Sequence, residues 1–337
     1  MKLNLQQIQA ITQGAETIRE EGGMIRFCRF TDEELALYKA RPDYYPTAIC
    51  TANIQMLFRT DAESLYLKFT APEGKLYSPF FAYDILVDDK LIGQLKNFPD
   101  EMKNGHYYDA PLEKGAPEGS FSLGSGIKTV RIVFPWSVCL KMESCILENA
   151  TILEPVKKEK KLLIYGDSIT QGSCCLYPSQ TYPSLLGRWL DADTTNKGVG
   201  SEFYYPELAE QKLPYAPDYI TVAYGINDWG HCTKEQYRNN CRNFWSAICK
   251  NYPNAKKFAL TPIWYMNWAE VAPFGPFEEL KQVIAEVAQE FPDVVVLDGT
   301  DFVSRDTADF GDLYIHPNHI GFRLFFENLK KAMMPYL

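Results

Sequence analysis

Three short polar stretches hold residue types that suit acyl transfer. Ser168 lies in "GDSITQG" (166–172), directly after the apolar run "LLIY", where small residues can present a side chain at the edge of a sheet. Asn227 lies in "YGINDWG" (224–230) and His316 in "DFGDLYIHPNHIGF" (309–322), while "NKGVGS" (196–201) supplies a glycine turn ending in Gly200 and Ser201. A hydroxyl nucleophile, an imidazole base and a set of N–H donors for an oxyanion are the parts of an acyl-transfer site. Each residue also has a plainer reading. Ser168 could cap the helix that follows it, Asn227 could stabilise a turn, and His316, followed by Pro317, could sit on a surface loop.

Those stretches share an edge only if the chain between them is organised in a particular way. From residue 160 onward, short apolar runs alternate with helix-length segments. The strands are expected at 162–166, 194–198, 219–225, 257–262 and 294–299, and the helices at 181–190, 204–212, 233–250, 276–290 and 319–335. "TKEQYRNNCRNFWSAICKNY" places Tyr237, Cys241, Phe244, Trp245 and Ile248 on one helical face. This alternation predicts an α/β fold with a flavodoxin-like, parallel five-stranded sheet over 160–337, whose ligands gather at the carboxyl ends of the strands.

The residues before it have another period. A helical start is expected over 4–20 and a second helix near "TDEELALYKA". Strand patterns follow: "SLYLKFTA" (64–71) alternates, and "FFAYDILVDDKLIGQLKNF" (80–98) reads as two strands meeting at Asp88-Asp89-Lys90. "IKTVRIVFPW" and "SCILENATILEP" continue the pattern, which predicts an antiparallel, jelly-roll-like β-sandwich over 1–155. The charged stretch "EPVKKEKK" (154–161) reads as the linker.

Composition excludes several functions. The net charge of −9 argues against a nucleic-acid partner and against attraction to an anionic membrane surface. No apolar stretch approaches the ~20 residues of a membrane span, and the N-terminus lacks a signal-peptide core. The nine cysteines form no C-x-x-C pair, which fits reduced thiols in a cytoplasmic protein; the adjacent Cys174 and Cys175 read as packing residues. The four histidines (106, 231, 316, 319) show no H-E-x-x-H spacing, and no phosphate-binding glycine loop is present. No metal or other cofactor is expected. Thr170 stands where G-x-S-x-G would need its second glycine, so the α/β-hydrolase elbow is not met.

"GDSITQG", "NKGVG", "GIND" and "HPN", in this order, resemble the four blocks of the SGNH (GDSL) hydrolases over roughly 161–335. The β-sandwich in front resembles the two-domain layout of family-two carbohydrate esterases. The resemblance implies Ser168 as nucleophile, His316 as base, and an oxyanion hole made by the N–H of Ser168, an N–H from Gly200 or Ser201, and the amide of Asn227. Its usual D-x-x-H would put an acid at position 313, which holds Leu313; Asp312 stands one residue further back, with Asp309 a poorer choice. Two arrangements stay open: a triad in which a bulge lets Asp312 reach the imidazole, or a Ser-His dyad oriented by a backbone carbonyl. Asp167 reads as structural and His319 as part of a helix cap.

The expected activity is a serine esterase removing a short acyl group, acetyl first, from a carbohydrate or similar small-molecule alcohol. An acyltransferase using the same site, and a non-catalytic carbohydrate-binding protein on a hydrolase fold, are the alternatives. Trp229, Trp264 and Trp268, with Tyr224 and Tyr265, fall on the rim loops, where they would stack on sugar faces, wall an acyl pocket, or serve as core. A homo-oligomer is left open.

Overall fold

The computed structural model describes the whole chain except residues 75, 101, 103–110 and 273. Two antiparallel sheets make up the N-terminal part. One joins Thr12–Gln13, Gln55–Thr60, Lys128–Val133, Ala82–Val87 and Lys90–Lys96 in that order, with Leu153–Pro155 also paired to Gln55–Thr60; the other joins Thr17–Glu21, Met24–Cys28, Met142–Glu148, Ser64–Phe69 and Glu118–Ser122. Alternation decides what lies between them. In Ser64–Phe69 every second side chain (Leu65, Leu67, Phe69) is buried, and these pack with Ile85, Val130, Ile132 and Leu147. The hairpin between Ala82–Val87 and Lys90–Lys96 turns on Asp88 and Asp89, whose φ values of 47° and 61° suit a two-residue turn with the twist of its strands.

The start of the chain differs from the sequence expectation. A capping box from Asn4 and Gln7 opens a helix that spans only Leu5–Ile11. Gly14, at φ +75°, then turns the chain, and Thr17–Glu21 pairs with Met24–Cys28 across Gly22-Gly23. Cross-strand pairing overrides the helical pattern of 4–20.

The second part is a parallel sheet in the order Ala192–Asn196, Lys160–Gly166, Tyr219–Ala223, Lys256–Leu260, Val294–Leu297. In chain order that is 2-1-3-4-5, the flavodoxin-like arrangement, and its switch point lies between Lys160–Gly166 and Tyr219–Ala223. Tyr182–Leu190 and His319–Met333 cover one face with Leu186, Phe322, Phe325 and Leu329. Lys234–Asn251 and Glu279–Ala288 cover the other, where Tyr237, Cys241, Phe244, Trp245 and Ile248 are all buried, as the helical spacing predicts. Cys28, Phe30, Leu35, Tyr38 and Ala48 join that same core, so the segment around Asp32–Lys39 packs against the helices of the parallel sheet. Among the described residues no helix is long and apolar enough to cross a membrane.

Candidate active site

Strand Lys160–Gly166 carries Leu162, Leu163, Ile164 and Tyr165 through the core and ends at Gly166. A Cβ on Gly166 would overlap the Thr170 hydroxyl and come within 2.7 Å of the Ala223 carbonyl, so only glycine lets the strand turn there. Asp167 caps the one-turn helix Ser168–Gln171 by accepting from the N–H of Ile169 at 2.9 Å. Asp167 is therefore the cap and Ser168 is not. Burial pushes the Asp167 carboxyl up to about 6.

The Ser168 hydroxyl meets the imidazole of His316, Oγ to Nε2 2.8 Å, and Nδ1 of the same ring lies 2.6 Å from Oδ2 of Asp312. The one-residue excess over D-x-x-H is absorbed at Leu313, which takes the left-handed conformation at φ +59°. That turn aims the N–H groups of Tyr314, Ile315 and His316 at the second oxygen of Asp312, at 3.0, 2.9 and 3.0 Å. Burial alone would raise the Asp312 carboxyl; the imidazole and these peptide N–H groups outweigh it and hold the group below its usual range. Burial likewise pulls the imidazole down, but Asp312 and Cys174 carry His316 above its ordinary value of 6.5. Asp309 instead accepts from Ser304.

The glycine turn is held from inside. Asn196 donates to the Thr170 carbonyl and accepts from the N–H of Gly198, both at 2.8 Å. Gln171 Oε1 accepts the N–H of Gly200 at 2.8 Å, while its amide donates to the Trp136 carbonyl. The N–H of Gly200 is thus spent on structure. Ser201, exposed and at φ +63°, has an N–H that no described residue accepts, and the same holds for the N–H of Ser168. Of the two candidates in the turn, Ser201 is the one with a donor to offer. Asn227 opens onto the same rim; one amide N–H donates to the Glu202 carbonyl at 3.0 Å, which fixes the side chain and leaves the other N–H. Its neighbour Asp228 is buried, accepts from the N–H of Tyr204 at 3.2 Å, and is pushed by burial up to about 8.

The aromatic expectation needs correcting. Trp229 is only 8% exposed, its indole N–H donates to the Gly275 carbonyl at 2.9 Å, and its ring packs edge-on against Phe277. It is core and offers no face to a sugar. Trp268 also packs on Phe277, under the ammonium of Lys281, and Trp264 lies against Phe310; both are half-buried supports of the loop. Tyr224 and Tyr265 are buried. His319 begins the last helix behind its cap Asn318, with its ring edge-on to Tyr177. His106 falls outside the described residues.

Sequence reasoning did not find the residues that hold these groups in place. Gln171 was visible as part of "GDSITQG", but its partner Gly200 lies 29 positions away. Cys174, read as packing, brings its Sγ within 4.8 Å of ligand-type atoms of both Asp312 and His316.

A hydroxyl, imidazole and carboxylate in line at the switch point of a doubly wound sheet define a serine-hydrolase type of α/β protein. Residues 164–324 match the GDSL-like lipase/acylhydrolase family. No curated protein matches the chain. Among solved structures, a salicylyl-acyltransferase, SsfX3, from a tetracycline biosynthetic pathway is similar at 22% identity and a TM-score of 0.80, over 96% of this chain and 94% of that one. A family two carbohydrate esterase from Clostridium thermocellum, in complex with cellohexaose, is similar at 14% identity and a TM-score of 0.62, over 85% and 93%. Another from Cellvibrio japonicus is similar at 16% and 0.63, over 99% and 98%. At these identities the likeness is one of fold.

Proposed function

We propose that the protein is a carboxylic ester hydrolase that removes short acyl groups, acetyl first, from a carbohydrate or similar small alcohol. The observation that carries this is the contact of Ser168 Oγ with His316 Nε2 at 2.8 Å, in line with Asp312. In this reading His316 takes the proton of Ser168 as Oγ bonds to the ester carbon. The carbonyl electrons move onto an oxyanion that accepts from the N–H groups of Ser168 and Ser201 and from Asn227. One such donor is worth about 2.7–4 kcal/mol in the transition state. Collapse breaks the bond to the alcohol, which leaves with the proton held by His316. Water then repeats the sequence on the acyl-serine and releases the acid.

With no disulfide among the nine cysteines, we place the protein in a reducing compartment, the cytoplasm.

The test is turnover of a small chromogenic acetyl ester by the protein and by Ser168→Ala. Loss of turnover in the variant is expected; equal turnover would reject the assignment. Acyl transfer to a second alcohol is the other reading, favoured by the likeness to SsfX3 over nearly the whole of both chains. Product analysis with acceptor sugars present separates the two, since hydrolysis leaves the acyl group only as the free acid and no acylated acceptor forms.

A further inference from the structure

The oxyanion arm is gripped from the N-terminal side of the molecule. Arg41, just beyond helix Asp32–Lys39, donates both Nη atoms to the two carboxylate oxygens of Glu202, each at 2.8 Å. The guanidinium lies between the rings of Tyr44 and Tyr205, 4.0 and 4.2 Å from their centroids. The Glu202 side chain is fully buried. A buried carboxylate needs a partner of matching geometry, and the planar fork of arginine supplies two parallel bonds where lysine supplies a point charge.

Glu202 is also the junction of the two oxyanion donors. It follows Ser201 directly, its N–H donates to the Val199 carbonyl at 3.1 Å, and its carbonyl accepts the Asn227 amide at 3.0 Å. A shift of the Glu202 side chain therefore moves the peptide that carries Ser201 and the acceptor that aims Asn227 together. Arg29 reinforces this side, donating to the carbonyls of Asn196 and Gly198 in the preceding turn.

We propose that Arg41 is a positioning residue of the oxyanion hole, acting on Ser201 and Asn227 through Glu202; this rests on the hydrolase reading above. The N-terminal segment is then part of the catalytic apparatus and not an appended module. A displacement of about 1 Å in such donors is enough to cost a large factor in rate. Because the arm stabilises the transition state, the loss falls on kcat and leaves KM.

The experiment compares Arg41→Ala, Arg41→Lys and Asn227→Ala with wild type on an acetyl ester, with thermal unfolding to confirm folding. Arg41→Ala and Arg41→Lys are expected to lose about tenfold or more in kcat with KM within about twofold. Arg41 also lines a cavity of about 860 Å³ with Phe203, Asn240 and Asn243, which gives solvent a path to the guanidinium site. Added ethylguanidinium should therefore restore turnover to Arg41→Ala. Combining Arg41→Ala with Asn227→Ala should lose less than the product of the two single losses, because part of the arginine's effect runs through Asn227 and the rest through Ser201. Should Arg41→Ala fail to fold, the losses in Arg41→Lys carry the test. Undiminished kcat in the arginine variants, or losses that multiply in the double variant without rescue, overturns the proposal while a Ser168-dependent wild type keeps the hydrolase reading. A wild type without Ser168-dependent turnover overturns both.

Discussion

Asp312 reaches the imidazole of His316 across four residues, Oδ2 to Nδ1 2.6 Å, while its other oxygen collects three peptide N–H groups of the same loop. The loop is closed further by the N–H of Gly311 donating to the His316 carbonyl at 2.7 Å. One carboxylate thus builds the loop and orients the ring. The histidine needs no backbone carbonyl to hold it.

A hierarchy of losses follows. In the proposed mechanism, Ser168→Ala and His316→Ala each remove a group that bonds to, or exchanges protons with, the substrate. Asp312→Ala leaves both and removes the orientation and charge behind the ring. Its kcat should fall steeply, yet about one to two powers of ten less than in the other two variants. Steady-state kinetics on one acetyl ester measure it. Equal losses in all three would mean that Asp312 acts as an inseparable part of the unit.

The left-handed turn at Leu313 can be tested by itself. A non-glycine residue there costs about 1–2 kcal/mol, which glycine avoids at a similar cost in unfolded-state entropy. Leu313→Gly should therefore keep stability within about 1 kcal/mol of the parent and retain kcat. Leu313→Pro locks φ near −65° and cannot make the turn. It should unseat Asp312 and lose activity as Asp312→Ala does, with the remaining fold intact by circular dichroism.

The turn explains why the acid stayed ambiguous in the sequence. Leucine carries no signal for φ > 0, so the spacing of Asp312 from His316 cannot show that one residue is absorbed. The choice between Gly200 and Ser201 was hidden similarly. The proposal of Ser201 rests on the Gln171 side chain, which takes the N–H of Gly200. The parallel sheet was legible because four of its five strands hold a short apolar run followed by small or polar residues, the polar Ala192–Asn196 being the exception, and its core helix shows its face at 237, 241, 244, 245 and 248. The aromatic loops misled because stacking and core residues share composition; Trp229 is told apart only by Phe277 and the Gly275 carbonyl packed against it. Arg41 and Glu202, 161 positions apart, carry no common motif.

The raised proton affinity of His316 sets the pH dependence. General-base catalysis needs the neutral ring, so kcat/KM should climb with a midpoint above the ordinary 6.5. Asp312→Asn removes the charge that helps hold the proton and should lower both the midpoint and the plateau. Stability runs the other way. A group that binds its proton more tightly when folded contributes stability that is complete below its unfolded pKa and is lost as pH rises through the folded value. The thermal unfolding midpoint should fall over the pH window in which activity grows, and His316→Ala should remove that part of the pH dependence. A midpoint at or below 6.5 in the parent would contradict the reading.

Cys174 offers a chemical handle on the same imidazole. It is half-buried at φ +65° just after the nucleophile helix, with Sγ within 4.8 Å of ligand-type atoms of His316 and Asp312. Its neighbour Cys175 is buried, as are Cys28, Cys50, Cys145 and Cys241, whereas Cys139, Cys232 and Cys249 share its partial exposure. A maleimide adduct on Cys174 would occupy the space against the His316 ring and should block both ester turnover and labelling of Ser168 by a fluorophosphonate. Adducts at Cys232 or Cys249 lie on other elements and should not. The comparison is therefore between the parent and Cys174→Ser, each before and after N-ethylmaleimide, with the modified cysteines mapped by peptide mass. Inactivation of the parent and protection of Cys174→Ser is the expected pair of results. Equal inactivation of both would place the sensitive thiol elsewhere and remove Cys174 from the neighbourhood of the reaction.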